Sequence, residues 1–165
     1  MTSPRWDTGL VVGRFDPPHL GHSFLIDRAA QRCERLAVYV NSGGRDAVPG
    51  QLRAAWLAEL HPRVRVVEVT HDLRTDFGDE DLWQRWISLF RARWPEELVG
   101  EGPAVVFSAD PYADELARRL GAACVVVDAD RTTVPISATR IRERPGEHLD
   151  YLAPAVRAWV ETTWL

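Results

Sequence analysis

Short apolar runs alternate with amphipathic segments along this chain, and this alternation constrains its fold more than any other feature. The runs are rich in Val, and several are apolar almost throughout, as in parallel strands that are covered on both faces. A repeated strand-helix order is typical of a doubly wound α/β sheet, whose ligand sites lie beyond the carboxyl ends of the strands. We predict strands at residues 9–14, 36–40, 64–69, 104–107 and 123–127.

The segments between these runs carry apolar residues at three- and four-residue spacing, which predicts helices. The tail adds a C-terminal helical segment that begins near Pro154. Without a linker or low-complexity stretch, residues 1–165 are expected to form a single domain. The polar loops at 41–50 and 70–80 are candidates for mobile segments that cover a substrate. The other predicted helices are Leu20 to Arg32, Gln51 to Leu60, Asp81 to Arg93 and Ala113 to Leu120.

The chain contains no Lys, so all 20 of its Lys and Arg residues are Arg. Neither a Walker-type P-loop nor Schiff-base chemistry is therefore available, and phosphate contacts must come from Arg, His or backbone N–H groups. A net charge of -4 with no basic block favours small-molecule partners over nucleic acid. The absence of a signal peptide or long apolar run predicts no membrane partner and a cytoplasmic location. Cys33 and Cys124 are isolated and are expected to be buried and inert.

The segment GRFDPPHLGH, residues 13–22, follows the first predicted strand and opens the first predicted helix. A helix N-terminus at the carboxyl end of a strand presents free N–H groups and a positive dipole to a phosphate. His19 and His22 are three residues apart with Gly21 between them, so both imidazoles lie on one side of the first helical turn. There they can donate hydrogen bonds to one phosphoryl group while it gains charge.

Two other interpretations of these histidines stay open. A His-x-x-His pair could bind a metal, but the spacing is poor for zinc without a third His or Cys nearby. A loop histidine could also cap the helix for structural reasons alone. In the same segment, Asp16 is predicted as a turn residue before Pro17, and Phe15 fits the core as well as it fits a ligand contact.

A second segment, residues 128–142, combines hydroxyl side chains with Arg. Ser137 is predicted as the N-cap of a short helix, with Thr139 in its first turn and Arg142 one turn later. Hydroxyls, free amides and an Arg at this spacing can hold a polyphosphate. Taken alone, the segment is better explained as a capped surface helix, and only its pairing with the histidine segment favours a second anion site.

Together, GRFDPPHLGH and ISATRIR resemble the two signature motifs of the nucleotidyltransferase α/β phosphodiesterase superfamily, G-x-F-x-P-x-H-x-G-H and I-S-S-T-x-I-R. Only Ala138 departs from the second motif. Segments 48–53, 82–86 and 127–132 further resemble the nicotinamide mononucleotide (NMN) adenylyltransferases of the NadR-like and archaeal types. The resemblance implies a Rossmann-like nucleotidyltransferase fold and transfer of the adenylyl group of ATP to NMN, which gives NAD and pyrophosphate.

The resemblance also implies roles for individual residues. His19 and His22 would contact the ATP phosphates and stabilise the transferring α-phosphoryl group, while Arg142 would act on the β and γ phosphates. Asp110 would lie near the ribose. Arg53 and Arg131 are weaker candidates for phosphate contacts with the substrates. The other residues implied around ATP are Gly13, Arg14, Phe15, Ser137 and Thr139.

Trp83 and Trp86 belong to an apolar stripe at helical spacing, a pattern that more often forms core than a ligand site. They also match a Trp-x-x-Trp segment of the resembled family. Because aromatic faces attract a cationic ring, we expect one of them to stack on the nicotinamide, Trp86 rather than Trp83. The rest of the stripe consists of Ile87, Phe90 and Trp94.

The partners implied by the resemblance are the small molecules ATP and NMN, and homo-oligomers are left open. Mg²⁺ is expected to be held by phosphate oxygens and water, with no protein ligand predicted. One alternative keeps the chemistry and changes the acceptor to deamidated NMN, another nucleotide, phosphopantetheine or a polyol phosphate. A second alternative is a non-catalytic nucleotide-sensing module. A third, a metal-dependent hydrolase, is disfavoured because the sequence offers no set of metal ligands for it.

Overall fold

The structure, a computed structural model, describes residues 4–165, and each predicted apolar run forms a strand of one five-stranded parallel sheet. The first two strands begin three residues earlier than predicted. Their first three residues include polar ones and still pair through the backbone, with Trp6 opposite Cys33 and Thr8 opposite Arg35, so pairing there does not require a continuous apolar run. The strands are β1 (Trp6–Gly13), β2 (Cys33–Ser42), β3 (Arg65–Thr70), β4 (Val105–Ser108) and β5 (Ala123–Val126).

The predicted helices are all present, and the last one begins at Pro154 as expected. The first helix ends before Arg32, because the backbone carbonyl of Arg32 accepts a hydrogen bond from the Trp6 N–H and so belongs to the turn into β2. Within residues 4–165, no helix combines the length and apolar composition needed to cross a membrane. The helices are α1 (Leu20–Ala30), α2 (Gly50–Leu60), α3 (Glu80–Ala92), α4 (Ala113–Leu120), α5 (Ala138–Glu143) and α6 (Pro154–Trp164), with 3₁₀ turns at Pro145–Glu147 and Leu149–Tyr151.

The strand order is β3-β2-β1-β4-β5, and all neighbouring strands are parallel. One face of the sheet is covered by α1 and α2, where Ile26 and Leu57 pack in the same cluster as Val11. The other face is covered by α3 and α4, where Trp83 and Leu116 join a second cluster. This is the doubly wound architecture predicted from the sequence.

A third apolar cluster joins α2, α5 and α6. Trp56 of α2 meets Trp159 of α6 edge-on, with 5.9 Å between ring centroids, and Ile136 and Ile141 are fully buried in the same cluster. This packing fixes the segment before α5 at the carboxyl edge of the sheet. The two motifs singled out in the sequence are thereby held at one end of the molecule.

Candidate functional site

Two pockets open at the switch point of the sheet, where β1 and β4 lie side by side and the chain leaves in opposite directions. They share a wall formed by Val12, Gly13, Arg14 and Tyr112. The first, called the polar pocket, has about 1110 Å³ of space, partly open to solvent, and its lining includes Gly13, His19, His22, Asp110, Arg131, Ser137, Thr139 and Arg142. The second, called the aromatic pocket, has about 700 Å³, and its lining includes Asn41, Phe77, Trp83, Trp86, Phe90 and Tyr112.

His19 and His22 cap the start of α1 with their own rings. The Nδ1 atom of His19 accepts from the backbone N–H of Gly21 at 3.0 Å and of His22 at 3.3 Å. In return, the Nδ1 atom of His22 accepts from the backbone N–H of His19 at 3.1 Å. The rings stack with 3.6 Å between centroids, and a side chain at Gly21 would approach the His19 ring to 2.8 Å. Both rings therefore cap the helix, and this geometry leaves the proton of each neutral ring on Nε2.

Both rings are held neutral. Burial lowers the pKa of His19 to about 3, with a further contribution from the Arg131 guanidinium. Burial also lowers the pKa of His22 well below its usual value, and the neighbouring His19 and Arg131 add to this shift. The Nε2 atom of His19 is buried and has no hydrogen-bond partner in the described part of the chain. Such a donor costs free energy until a ligand atom accepts from it.

The start of α5 forms the opposite side of the polar pocket. Ser137 is its N-cap, as predicted, and its Oγ accepts from the Arg140 N–H at 3.2 Å. The Arg142 guanidinium donates to Thr139 Oγ1 at 3.2 Å and to the backbone carbonyl of Asp16 at 2.6 Å. Arg142 therefore ties the second motif directly to the first.

Phe15 and Asp16 support the pocket from behind. Phe15 is buried, and its ring meets that of His22 edge-on with 4.7 Å between centroids. Asp16 is also buried, and its carboxylate accepts from the N–H groups of Ala47 at 2.9 Å and Val48 at 2.8 Å. Asp16, which the sequence predicts only as a turn residue, thus anchors the loop between β2 and α2.

Arg53 does not reach either pocket, and its side chain is fully buried. Its Nε donates to the Val48 carbonyl at 2.9 Å, and its terminal nitrogens donate to the carbonyls of Arg14 and Asn41 and to the Asp46 carboxylate. Because these donors are engaged by the protein, the expected substrate contact by Arg53 is not supported. Arg53 instead joins the ends of β1 and β2 beneath both pockets.

The other two candidate arginines remain at the site. Arg14 is exposed, lines both pockets and donates to Asp46 Oδ1 at 3.1 Å. Arg131 is exposed, lines the polar pocket and donates to the Ile136 carbonyl at 3.0 Å. Each guanidinium is partly held by the protein and is still accessible to an anion in the polar pocket.

Trp83 and Trp86 line the aromatic pocket with unequal exposure. Trp83 is buried in the core beside Phe90, whereas Trp86 is half-buried between the rings of His71, 4.4 Å away, and Phe90, 5.5 Å away. The indole N–H groups of Trp83 and Trp86 donate to the carbonyls of Phe77 and Arg74, at 3.1 and 3.0 Å. The apolar stripe of α3 is therefore part of the core and also part of the pocket wall. The hydrogen bonds of its two indoles hold the loop that precedes α3.

Cys33 is buried, as expected, and burial raises the pKa of its thiol to about 11. Cys124 differs from the expectation because it is only half-buried, on β5 at the edge of the sheet. Neither cysteine lines the polar or the aromatic pocket.

Comparison with known proteins assigns this chain to a family. The sequence model of the family described as cytidylyltransferase-like matches residues 10–144, a stretch that includes both motifs. The chain belongs to the cytidylyltransferase-like family. The membership confirms the resemblance predicted from GRFDPPHLGH and ISATRIR.

Individual relatives of this cytidylyltransferase-like chain cover it to different extents. It is 26% identical to the trifunctional NAD biosynthesis/regulator protein NadR of Escherichia coli (strain K12), over 94% of this chain and 41% of that protein. It is 36% identical to a probable nicotinate-nucleotide adenylyltransferase of Cereibacter sphaeroides (strain ATCC 17025 / ATH 2.4.3), over 53% of this chain and 49% of that protein. The chain thus spans less than half the length of these relatives.

A solved structure of NadR protein in complex with NAD and AMP-PNP shares the fold of this family member. The likeness covers 90% of this chain and 46% of the solved one, with a TM-score of 0.63 and 24% sequence identity. It supports the Rossmann-like nucleotidyltransferase fold expected from the motifs.

Three of the lining residues that the sequence did not single out carry polar or aromatic groups, although two of them lie in the loops 41–50 and 70–80 predicted to cover a substrate. Asn41 stands at the end of β2, Tyr112 precedes α4, and Phe77 lies in the polar loop before α3. The Phe77 and Tyr112 rings stack at 5.7 Å, and Tyr112 also lines the polar pocket. Their positions at the carboxyl ends of strands were the available indication, because that edge of a doubly wound sheet carries the ligand site.

Carboxylates near the polar pocket are mostly occupied by the protein. Asp128 accepts from the N–H groups of Thr132, Thr133 and Val134. The Asp16 carboxylate accepts from two N–H groups of the loop before α2. Asp110 lines the pocket, and its N–H donates to Ser108 Oγ at 2.9 Å. Among residues 4–165, no three His, Cys, Asp or Glu side chains are grouped to hold a metal ion.

Proposed function

We propose that this chain transfers the adenylyl group of ATP to NMN, which gives NAD and pyrophosphate. ATP would occupy the polar pocket and NMN the aromatic pocket, so that the reacting phosphates meet at the shared wall of Gly13 and Arg14. Family membership supports nucleotidyl transfer in general, and the pockets support this pair of substrates.

The observation that carries the proposal is the state of the two histidine rings. Each Nδ1 is an acceptor within the helix cap, each ring is neutral, and the Nε2–H of His19 is buried with no partner among residues 4–165. Neutral donors of this kind can bind a phosphoryl oxygen more strongly as it gains negative charge. One such preorganised donor is typically worth about 2.7 to 4 kcal/mol of activation free energy.

The chemical step needs no protein nucleophile or strong base. An oxygen of the NMN phosphate attacks the α-phosphorus of ATP in line, and the bond from that phosphorus to the bridging oxygen breaks. The electron pair of this bond leaves with pyrophosphate, so charge and atoms balance without a proton transfer. Because the attacking phosphate is already anionic, positioning and charge stabilisation supply the rate.

We assign the remaining residues of the polar pocket to the triphosphate and the adenosine. Ser137, Thr139 and Arg142 would bind the β and γ phosphates, since Arg142 is already fixed between Thr139 and the first motif. Asp110 would accept from the ribose hydroxyls. Arg14 and Arg131 would meet the phosphates where the two pockets join.

Mg²⁺ would enter as part of the substrate MgATP. The carboxylates Asp16 and Asp128 are engaged by backbone N–H groups, so the oxygen ligands that Mg²⁺ requires would come from the phosphates and water. The bound ion would neutralise charge on the leaving pyrophosphate.

Deamidated NMN is the second candidate acceptor, because the relative of this chain from Cereibacter sphaeroides is described as a probable nicotinate-nucleotide adenylyltransferase. The aromatic walls suit either ring. Each has a cationic pyridinium that the faces of Trp86 and Phe77 would attract.

The proposal is tested by mixing the purified chain with ATP, Mg²⁺ and NMN and following NAD and pyrophosphate. We expect both products in equal amounts. If they fail to appear while deamidated NMN, phosphopantetheine or a polyol phosphate yields product, the acceptor is wrong. If ATP binds and no acceptor reacts, the chain is a nucleotide-sensing module and the proposed activity is refuted.

A further inference from the structure

We propose that Asn41 selects the carboxamide of the acceptor against its carboxylate form, an inference that rests on the proposed function. Asn41 lies at the carboxyl end of β2 and lines the aromatic pocket. Its Oδ1 atom is buried and has no hydrogen-bond partner among the described residues. A buried acceptor without a donor costs free energy, so a ligand that brings an N–H group is favoured there.

The chemistry of the two acceptors differs at one group. A carboxamide offers N–H donors and a carbonyl acceptor, and therefore pairs with Asn41 Oδ1. A carboxylate has acceptors only, so it can pair with the Nδ2–H groups of Asn41 but leaves the buried Oδ1 unpaired and brings a negative charge. Sites with a buried polar group strongly reject analogues that lack the matching hydrogen-bonding group.

The charges around Asn41 act in the same direction. Asp76 lines the aromatic pocket, and hydrogen bonds from the Gly78 N–H and from Arg74 lower the pKa of its carboxyl, so it is ionised. Among the described residues that line this pocket, Arg14 is the one cation, and its guanidinium lies 3.1 Å from an oxygen of Asp46 and 3.6 Å from one of Asp16. A pyridinium ring with a neutral carboxamide suits this environment better than one with a carboxylate.

The backbone holds Asn41 in place independently of its side chain. Asn41 pairs with Val69 of β3, and its carbonyl accepts from the buried Arg53 guanidinium at 3.1 Å. The neighbouring Ser42 bonds to Glu68 at 3.0 Å and does not line the pocket. Side-chain substitutions at Asn41 can therefore be compared with a Ser42→Ala control that disturbs the same strand end.

The test measures kcat and KM for NMN and for deamidated NMN, together with binding of each acceptor followed by tryptophan fluorescence. The wild-type chain should prefer NMN by at least about tenfold in kcat/KM. Asn41→Leu should cut kcat/KM for NMN by about tenfold through the acceptor KM, while ATP KM and the value for deamidated NMN change less than about threefold. Asn41→Asp should keep kcat/KM for NMN within about threefold of the wild-type value and should lower kcat/KM for deamidated NMN further.

The outcomes separate this proposal from the proposed function. Equal selectivity in the wild type and Asn41→Leu chains, with NAD still formed, would overturn the role of Asn41 alone. If Ser42→Ala changed the NMN selectivity as much as Asn41→Leu does, or if the wild-type chain preferred deamidated NMN, the role of Asn41 would also be overturned. If no acceptor turns over, fluorescence binding still decides whether Asn41 discriminates, and the absence of binding by both acceptors refutes both proposals.

Discussion

The polar pocket and the aromatic pocket share one wall, but they are built from opposite kinds of side chain. The polar pocket is formed by two helix starts, α1 with its histidine cap and α5 with its serine cap. The aromatic pocket is formed by the sides of α3 and its preceding loop, where indole and phenyl rings from the core reach the surface. Helix starts present N–H donors, and helix sides present packed rings, so one fold places a pocket lined by helix starts beside a pocket lined by aromatic rings.

Arg53→Met should damage both pockets at once and give the largest effect. It removes the buried cation that joins the ends of β1 and β2, and it leaves Asp46 with only the exposed Arg14 and the Gly43 N–H as partners. Breaking a buried pair from one side should lower the free energy of unfolding by about 3 to 5 kcal/mol. Urea denaturation measures this loss.

The exposed Arg144, which lies 3.4 Å from Glu147, provides the matched control for Arg53. Arg144→Met should change the free energy of unfolding by less than about 0.5 kcal/mol. A loss below about 1 kcal/mol for Arg53→Met would contradict the structural role of its guanidinium.

His22→Ala should break the polar pocket and spare the aromatic one. Loss of one phosphoryl donor should lower kcat by about a hundredfold to a thousandfold, while the affinities for ATP and NMN change little. Steady-state kinetics and ATP binding measure the two quantities. His61 is buried outside both pockets, so His61→Ala should leave kcat within about threefold.

Trp86→Ala should break the aromatic pocket and spare the polar one. Loss of a partly desolvated cation-π partner of about 2 kcal/mol should raise the KM for NMN by about thirtyfold with no change in the KM for ATP. Trp164 is equally half-buried but packs against Trp159 on α6. Trp164→Ala should leave both KM values unchanged. A rise in the KM for ATP with Trp86→Ala would contradict the assignment of ATP and NMN to two separate pockets.

The smallest effect, taken over a single pH unit, concerns the protonation of His19. The folded-state pKa of His19, about 3, lies below its unfolded value of 6.5, so the unfolded chain binds more protons between these pH values. The free energy of unfolding should therefore fall as pH drops below 6.5, with His19 contributing up to about 1.4 kcal/mol per pH unit. In His19→Asn this slope should flatten.

Ring ¹⁵N NMR measures the same property directly. Both histidine rings of the polar pocket should remain neutral and protonated on Nε2 from pH 8 to pH 5.5. A titration of either ring near its usual pKa of 6.5 would contradict the buried, neutral cap.

Most of the fold followed from the sequence, because Val-rich apolar runs and amphipathic helices at regular intervals leave few alternatives. Strand ends did not, since the first residues of β2 pair through backbone groups that any side chain permits. The two motifs predicted the lining of the polar pocket. They did not predict which ring nitrogen of His19 carries the proton, because that depends on the amides of Gly21 and His22 in the folded cap.

Arg53 shows what sequence reasoning misses. Its place at the start of α2 suggested a phosphate contact, but its partners are backbone carbonyls of β1 and β2 and the Asp46 carboxylate, which meet only after the sheet forms. Asn41, Phe77 and Tyr112 were not singled out for the same reason, although the first two lie in loops predicted to cover a substrate. Each is an ordinary residue in its own segment and becomes part of a pocket only through neighbours far away in the chain.

The central claim is that the α-phosphoryl group of ATP passes from the polar pocket to an acceptor in the aromatic pocket. Parallel reactions with NMN and ATP labelled with ³²P at either the α or the γ position test it most directly. The account predicts that the α label appears in NAD and the γ label in pyrophosphate, one for one. An α label that ends in free AMP, or a γ label that ends on the acceptor, would contradict it.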